Sequence, residues 1–261
     1  MSLECHVINL DDRGDRLALI ARALAHARIG FRRYPAVDGR TRRRQGFAQF
    51  DSARARKRYG RALSPGEMGC FLSHLGVVDT FLAGNAAHAL VLEDDAAPGS
   101  DLAALVQELV SWLDSHRPGQ WDVVNLGKAA TGPASPAATL SGGQRLLVAH
   151  AFPLTTTALL WSREGALRFR EAAQSPHAPV DQFLCDLLVA SGRGFAFATA
   201  PVGVTGAPSD IGDRFWQRLA NALRPWGLVA KSRRLRHNAR RAEAAMRAHQ
   251  AQEDRKAGHA D

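Results

Sequence analysis

The sequence predicts an α/β fold in which a mostly parallel sheet is flanked by helices. A β-branched run at Cys5–Leu10 precedes apolar residues at helical spacing and then a second strand-like run at Phe31–Val37. This strand, helix, strand order favours a parallel unit. The alternation then recurs, because a well-marked helix start at Ser64 precedes a compact apolar strand at Ala89–Leu92. With 261 residues, 46% of them hydrophobic, the chain is long enough to bury a core.

The helix beginning after Ser64 carries the most explicit local signals. Ser64 is a suitable N-cap, Pro65 suits the first helical position, and Glu67 completes a capping box. The predicted buried stripe, which ends near Gly84, consists of Met68, Phe71, Leu72, Leu75, Val78 and Leu82.

Further elements follow from periodicity and from turn residues. Helices are predicted over Leu102–Leu113, Ser162–Ala173 and Pro179–Ala190. Strands are predicted over Trp121–Leu126, Arg145–His150, Leu154–Trp161 and Phe195–Thr199. The Arg-rich segment from Arg40 to Arg61 has weak periodicity and is expected to be a basic insertion or a solvated loop.

Charge and cysteine content restrict the partners and the compartment. The 34 Lys and Arg residues outnumber 25 acidic ones, which gives a net charge of +9 and a pI near 10.4. Such a chain favours anionic partners: a nucleic acid, a nucleotide, an acidic membrane surface or an acidic glycan. Three scattered cysteines favour a reducing compartment. We find neither an apolar run of membrane-spanning length nor a signal peptide, so a cytoplasmic protein is expected.

Two regions are predicted, residues 1–212 and residues 213–261. The second region is a basic, amphipathic and helical tail, interrupted by Pro225 and Gly227, with an apolar side that includes Phe215 and Trp216. It is expected to lie on the anionic inner leaflet, which would make the protein peripheral at the inner membrane. Self-association and a solvated helix are the alternatives.

The acidic triplet Glu93-Asp94-Asp95 follows an apolar strand directly. Ligands of open α/β sheets gather at the carboxyl ends of the strands. Adjacent carboxylates repel one another unless a cation is present, and their oxygens are the ligands that Mg²⁺ or Mn²⁺ takes. The alternative is an acidic helix start.

Other polar residues also stand at predicted strand or helix ends. The first strand-to-helix junction, which includes Asn9, Leu10, Arg13 and Arg16, is either a nucleotide-binding turn or an ordinary polar turn. Asp38 ends the second strand, where it is either an acceptor for a ribose or base or a turn residue.

Five further side chains are weaker candidates. Asp181 is either a general base or a helix cap. Glu67 and His74 share a helix face and either line a cleft or make structural hydrogen bonds. Lys128 after a strand either contacts a phosphate or is solvated, and His150 is ambiguous. Cys70 and Cys185 are expected to be core thiols.

The order of these motifs resembles glycosyltransferase family 25, the bacterial lipooligosaccharide and lipopolysaccharide glycosyltransferases. The resemblance covers about residues 3–212. The matching segments are VINLDDRGDR, YPAVDGR, LSPGEMGCFLSH, ALVLEDDA, WDVVNLGK, TTTALLWSREGA, APVDQFL and SDIG. Leu159 stands where an aromatic residue is usual, and the tail after Gly212 follows no family pattern.

The resemblance implies a GT-A-like (Rossmann-like) domain that transfers a hexose, often galactose, with inversion from a UDP-sugar to a saccharide or lipid-linked glycan. It implies a divalent metal, Mn²⁺ or Mg²⁺, at an Asp-x-Asp-like site flanked by Glu93 and Asp95, with Asp94 between them. The nucleotide would lie near Asn9, Leu10, Arg13 and Arg16, with Asp38 facing uridine, and Asp181 is the base candidate.

Three other functions compete with this one. A nucleic-acid-binding protein fits the pI, but the positive charge is concentrated in one insertion and the tail, and only 7% of residues are aromatic; no nucleic acid is therefore expected. A phosphate-ester hydrolase would normally show a second cluster of metal ligands. A catalytically degenerate family member would bind a sugar nucleotide without turnover.

Overall fold

The computed structural model describes residues 2–41, 48–59, 61–206, 238–251 and 255. Its strands are β1 (Leu3–Asn9), β2 (Arg32–Pro35), β3 (His88–Glu93), β4 (Ala96–Pro98), β5 (Val123–Asn125), β6 (Ala134–Thr139), β7 (Arg145–Ala149), β8 (Ala158–Ser162), β9 (Gly194–Phe197) and β10 (Val202–Val204). Its helices are α1 (Gly14–His26), α2 (Ser52–Tyr59), α3 (Pro65–Ala83), α4 (Leu102–His116), α5 (Arg163–Ala172), α6 (Val180–Ser191) and a C-terminal helix over residues 238–251.

Eight of these strands form one mixed sheet in the order β2-β1-β3-β8-β5-β9-β7-β6. Strands β1, β2 and β3 pair in parallel, as do β5 and β9, whereas β7 and β8 run against their neighbours. Six strands therefore point the same way. The predicted mixed, mostly parallel sheet with flanking helices is confirmed. Strands β4 and β10 form a separate two-stranded ribbon.

The core is divided between the two faces of this sheet. Alternate residues of β3 serve opposite faces: Ala89 and Val91 belong to one apolar cluster, and Leu90 and Leu92 belong to the other. Helices α3, α5 and α6 cover the first face, and α1 and α4 cover the second. A sheet covered on both sides needs strands that are almost wholly apolar, which explains the short hydrophobic runs in the sequence.

The helix α3 begins as the sequence predicts. The hydroxyl of Ser64 accepts a hydrogen bond from the backbone N–H of Glu67, and the Glu67 carboxylate accepts one from the backbone N–H of Ser64. This reciprocal pair satisfies two backbone donors that the helix itself leaves open. It fixes the start of the helix that forms one wall of the cleft described below.

The segment between Arg40 and Arg61 is more ordered than the loop expected for it. It contains α2, whose Ala55 is buried together with the preceding Phe50, and Arg58 forms an ion pair with Asp186 of α6. The buried Ala55 and Phe50 and one ion pair attach this segment to the core, although most of the surface of α2 is basic. Residues 42–47 and residue 60 lie outside the described residues.

The predicted boundary between residues 212 and 213 also lies outside the described residues, as do Phe215, Trp216, Pro225 and Gly227. The described part of the tail, the helix over residues 238–251, packs on the body of the protein. Ala242 is fully buried, Arg241 donates to the backbone oxygen of Asp186, and the ring of His249 lies 5.3 Å from that of His150. Within the described ranges, no helix combines the length and the apolar character that a membrane crossing requires.

Candidate functional site

A cleft opens where β1 and β3 end and where the chain leaves β2. Its lining includes eight of the residues singled out from the sequence: Asn9, Leu10, Arg16, Asp38, His74, Glu93, Asp94 and Asp95. Because β1, β2 and β3 are parallel neighbours, their carboxyl ends meet at one edge of the sheet. This is the edge at which open α/β sheets bind their ligands.

Asn9 connects the elements at the bottom of the cleft. Its amide nitrogen donates to Asp94 Oδ2 at 2.8 Å and to the backbone oxygen of Arg13 at 2.9 Å. Its side-chain oxygen accepts from Arg33 Nε at 3.0 Å. The side chain is 2% exposed, so these contacts replace water. Asn9 therefore orients the turn before α1 and the acidic triplet at the same time.

Asp94 points toward the first strand-to-helix turn. Besides Asn9, it lies against Arg16, whose Nη1 is 3.4 Å from Asp94 Oδ1. Burial raises the pKa of Asp94, and the contacts with Asn9 and Arg16 partly offset that rise. Asp94 is thus the residue of the triplet whose charge the protein itself balances most directly.

Asp95 is the residue of the triplet whose negative charge the surrounding groups compensate least. Burial, together with the charges of Glu93 and Asp94, raises its pKa to about 6. Its Oδ1 is buried and accepts no hydrogen bond from any of the described residues. A buried carboxylate oxygen without a donor is costly unless a cation binds it. The donor set therefore fits the hard divalent ion that the resemblance implies.

Glu93 contacts side chains from two other segments of the chain. Its Oε1 accepts from Thr156 Oγ1 at 2.6 Å and lies 3.1 Å from His74 Nε2. Glu93 thus connects β3 with α3 and with the segment before β8.

Asp38 lies on the opposite side of the cleft and forms a two-pronged ion pair with Arg40, whose Nη2 also reaches Asp12 at 2.8 Å. The hydrogen bonds from Arg40 lower the pKa of Asp38. Asp38 is therefore a charged acceptor at neutral pH, next to the backbone of Leu10.

Two glycines set the distance between this loop and α3. A Cβ on Gly39 would overlap the backbone oxygen of Pro65, and a Cβ on Gly69 would overlap the backbone oxygen of Val37. Ser73 strengthens the contact, because its hydroxyl accepts from the backbone N–H of Val37 at 2.8 Å. The two walls of the cleft therefore meet backbone to backbone.

Arg13, Glu67 and His150 lie outside the lining of the cleft. Arg13 occupies the N-cap position of α1. Glu67 makes structural hydrogen bonds, which the sequence analysis gave as the alternative to lining a cleft. Besides capping α3, it forms a double ion pair with Arg61 at 2.7 Å. Burial acts to raise the pKa of Glu67, but the donors Arg61 and Ser64 outweigh it, so this pKa is lowered.

His150 follows β7, which runs against β9 with Val148 opposite Phe195. It therefore lies near the beginning of β9, at the edge of the sheet opposite to the cleft. Its Nε2 hydrogen-bonds with Ser135 Oγ at 2.8 Å. The structure thus separates His150 from the other site candidates, because β7 is antiparallel to the strands that carry them.

Asp181 and Lys128 stand beside the cleft rather than in its lining. Asp181 is in the first turn of α6, and its Oδ1 accepts from the backbone N–H of Gln182 at 2.7 Å. Burial raises its pKa, and the nearby charges of Glu93 and Glu67 add to this, while Lys128 opposes it. Lys128 is exposed after β5, at the same edge of the sheet as Glu93.

The sequence analysis missed five side chains that line or support the cleft: Arg33, Arg40, Cys70, Ser73 and Thr156. Cys70 was expected in the core, but it lines the cleft, whereas Cys185 is buried as expected. Arg40 carried a usable signal, since it follows the second strand and stands two residues after Asp38. Arg33 carried none, because it lies inside β2 without an acidic neighbour in the sequence. Thr156 carried none, because its contact with Glu93 spans 63 residues.

Comparisons with known proteins identify a matching family model and one similar solved structure. The model of Glycosyltransferase family 25 (LPS biosynthesis protein) matches residues 2–130, which contain β1 to β5 and the whole acidic triplet. A crystal structure of S. aureus TarS (residues 1–349) aligns with a TM-score of 0.43 at 13% identity, over 78% of this chain and 60% of that one.

Three relatives illustrate the range of proteins that the chain resembles. It is 30% identical to a Bos taurus protein named probable inactive glycosyltransferase 25 family member 3, over 69% of this chain and 31% of that protein. It is 29% identical to procollagen galactosyltransferase 1-A of Xenopus laevis, over 69% and 30%. It is 27% identical to a glycosyltransferase 25 family member of Aedes aegypti, over 69% and 30%. The chain spans less than a third of the length of these relatives, and it belongs to glycosyltransferase family 25.

Proposed function

We propose that this protein is an inverting hexosyltransferase that moves a hexose, galactose in the first instance, from a UDP-sugar to a hydroxyl of a lipopolysaccharide, lipooligosaccharide or related glycan. The observation that carries the proposal is the convergence of Asn9, Arg16, Asp38 and the triplet Glu93-Asp94-Asp95 in one cleft. Family membership and the name of the Xenopus laevis relative support the reaction class.

The two sides of the cleft suit the two ends of a nucleoside diphosphate. Asp38, kept ionised by Arg40, accepts hydrogen bonds from the N–H of uracil or from a ribose hydroxyl. Arg16, at the start of α1, and Arg13 beside it face the diphosphate, where cationic donors and a helix N-terminus favour negative charge. Lys128 approaches the same phosphates from the end of β5.

Asp95 and its neighbours fit a divalent ion, Mn²⁺ or Mg²⁺. When bound, such an ion stabilises the charge that develops on the departing diphosphate. The protein contributes the unpartnered Asp95 Oδ1 and the Glu93 carboxylate, while Asn9 and Arg16 keep Asp94 oriented.

Asp181 is the proposed general base. In an inverting transfer the acceptor oxygen bonds to the anomeric carbon, the bond from that carbon to the diphosphate breaks, and the hydroxyl proton goes to a carboxylate. Burial raises the pKa of Asp181, which makes its carboxylate a better proton acceptor than an exposed aspartate. Its position beside Glu93 and Lys128 directs it toward the place where the sugar would lie.

The experiment that tests this function is a panel of sugar nucleotides with and without Mn²⁺. A donor that binds the native state raises the midpoint of thermal unfolding. The donor with the largest shift is then incubated with glycan acceptors, and the released UDP and the new linkage are measured. If no sugar nucleotide shifts the midpoint, the proposed activity is wrong.

A degenerate, sugar-nucleotide-binding protein is the second candidate, and the name of the Bos taurus relative favours it. Asp181 also favours it, because its carboxylate is already engaged by Gln182 of its own helix. A donor that binds tightly while neither transfer nor hydrolysis releases UDP would select this candidate over the first.

A further inference from the structure

A second group of potential metal ligands lies at the inner end of the cleft. Cys70, His74 and Glu93 each offer one ligand atom, and these atoms lie within 4.8 Å of one another. His74 is almost fully buried, and Cys70 and Glu93 are partly buried. This set differs from the Asp94 and Asp95 side of the cleft because it combines sulfur, nitrogen and oxygen.

Helix geometry explains why these three residues meet. Cys70 and His74 are four residues apart on α3, so their side chains project from the same face, one turn apart. That face is turned toward the end of β3, where Glu93 is the last residue of the strand. The close backbone contact of Gly69 with Val37 fixes the height of α3 above the sheet.

We propose that Cys70, His74 and Glu93 form a site for a borderline-soft divalent ion of the Zn²⁺ type, which shares Glu93 with the proposed hard-ion site around Asp95. A thiolate, an imidazole and a carboxylate are the ligands that Zn²⁺ prefers in proteins, and they are a poor set for Mg²⁺. Three protein ligands leave a fourth position open toward the cleft. The proposal does not depend on glycosyl transfer.

The distances agree with a tetrahedral arrangement after a small adjustment. Ligands bound at ordinary Zn–N and Zn–O lengths in a tetrahedral site lie about 3.3 Å apart. His74 Nε2 and Glu93 Oε1 are already 3.1 Å apart, so an ion between them replaces their hydrogen bond. The limit of 4.8 Å on the other distances requires Cys70 Sγ to move inward by about 1.4 Å at most.

The hydrogen bond of Thr156 supports the same arrangement. Its hydroxyl donates to Glu93 Oε1 at 2.6 Å, which orients the carboxylate toward His74. Hydrogen bonds of this kind orient metal-binding carboxylates in known sites. Thr156 is itself buried, so the orientation does not depend on water.

The charges of the three side chains suit a divalent ion. One thiolate and one carboxylate would together neutralise it, and metal binding by a thiol releases a proton.

Cobalt spectroscopy of the full chain tests the proposal without any sugar nucleotide. Protein treated with a chelator and titrated with Co²⁺ should develop a thiolate-to-cobalt charge-transfer band and the visible bands of a tetrahedral complex. Both should disappear in Cys70→Ser. They should persist in Cys185→Ser, which removes a buried thiol outside the cluster, and in Asp95→Asn, which alters only the hard-ion site.

An absent charge-transfer band in the wild-type protein would overturn the proposal, and so would a band of unchanged intensity in Cys70→Ser. If Cys70→Ser does not fold, the wild-type protein still decides the question. Zn²⁺ should then protect the Cys70 thiol from alkylation, as measured by peptide mass spectrometry, while the modification of Cys185 stays unchanged. Equal alkylation of Cys70 with and without Zn²⁺ would contradict the site. Since no donor is present, failure here leaves the proposed transferase activity untouched.

Discussion

The amide of Asn9 donates a 2.8 Å hydrogen bond to Asp94, and this bond joins the end of β1 to the turn that follows β3. The two residues are 85 positions apart. Asn9 thereby couples the proposed nucleotide-binding turn to the acidic triplet. Asp94 would otherwise depend mainly on Arg16, whose nitrogen is 3.4 Å away.

Removal of this bond should therefore affect both stability and donor binding. In Asn9→Ala, Asp94 loses a neutral donor inside a partly buried site, and we expect a loss of about 1–3 kcal/mol in the free energy of unfolding. Urea unfolding measures the stability, and calorimetry with UDP measures binding. Asp101→Asn, on the exposed start of α4, is the control, and equal stabilities of the two variants would refute the role of Asn9.

Asp95 should make the metal-free protein less stable as the pH rises. Its folded-state pKa of about 6 exceeds its usual value of 3.8, so the native state binds more protons than the unfolded state between these pH values. Stability falls with rising pH through that window. Asp95→Asn should therefore stabilise the protein at pH 7.5 by about 1 kcal/mol after allowance for solvent screening, and much less at pH 4.

The same substitution should have the opposite effect on ligand binding. Asp95→Asn removes the charge that the divalent ion requires, so UDP binding in the presence of Mn²⁺ should weaken toward its metal-free level. In the wild-type protein, the contribution of Mn²⁺ should decline as the pH falls below 6. Calorimetry at pH 5 and pH 7.5 checks both effects, and an unchanged affinity in Asp95→Asn would remove Asp95 from the metal site.

Asp181→Asn separates donor binding from transfer. If Asp181 is the base, UDP-sugar affinity should be retained while kcat falls by about 10²–10⁴-fold. Lys128→Met provides a comparison, because the loss of a phosphate contact should raise KM instead. Wild-type turnover in Asp181→Asn would exclude the base role. Asp181 would then have only a structural role at the start of α6, where it accepts from the backbone N–H of Gln182.

Phe71 should be among the most sensitive core positions. Its side chain is fully buried on the face of α3 that meets Phe50, Phe169 and Phe183, with ring centroids 5.2–5.7 Å apart. We expect Phe71→Ala to cost about 3–5 kcal/mol in unfolding free energy. Leu19→Ala, at a side chain that is half exposed, should cost far less by the same denaturant measurement.

The expected contact with an anionic membrane can be tested on the described part of the tail. Arg240 and Arg247 are exposed on the helix that packs through Ala242, so their charge can be reversed while the packing is kept. Arg240→Glu with Arg247→Glu should weaken sedimentation with anionic vesicles, whereas Arg22→Glu on α1 should not. Equal sedimentation of both variants would argue against a membrane role for this helix.

Local signals in the sequence predicted the parts of the fold that local chemistry determines. The capping box at Ser64 fixed the start of α3, and the apolar run before Glu93 fixed the end of β3. The position of β8 between β3 and β5 could not be predicted in this way, because it depends on antiparallel pairing between distant segments. Strand β6 was not predicted either, because Pro136 and its neighbouring small residues are typical of a loop.

The same distinction between local and long-range signals applies to the candidate site. The acidic triplet and Asn9 were identifiable because each stands directly at a strand end. Thr156 was not, since its importance depends on Glu93, to which only the folded chain brings it. His150 shows the converse, because strand direction, which the sequence pattern does not reveal, carries it to the other edge of the sheet.

The close backbone contacts of Gly39 and Gly69 also determine how far apart the two walls of the cleft lie. Main-chain atoms set the distance between the two walls, so side-chain substitutions around the rim can change the specificity of the proposed donor site without changing that distance. An alanine at either glycine would instead force the two walls apart. Homologues with different donors can therefore be expected to vary at the rim and to keep this pair.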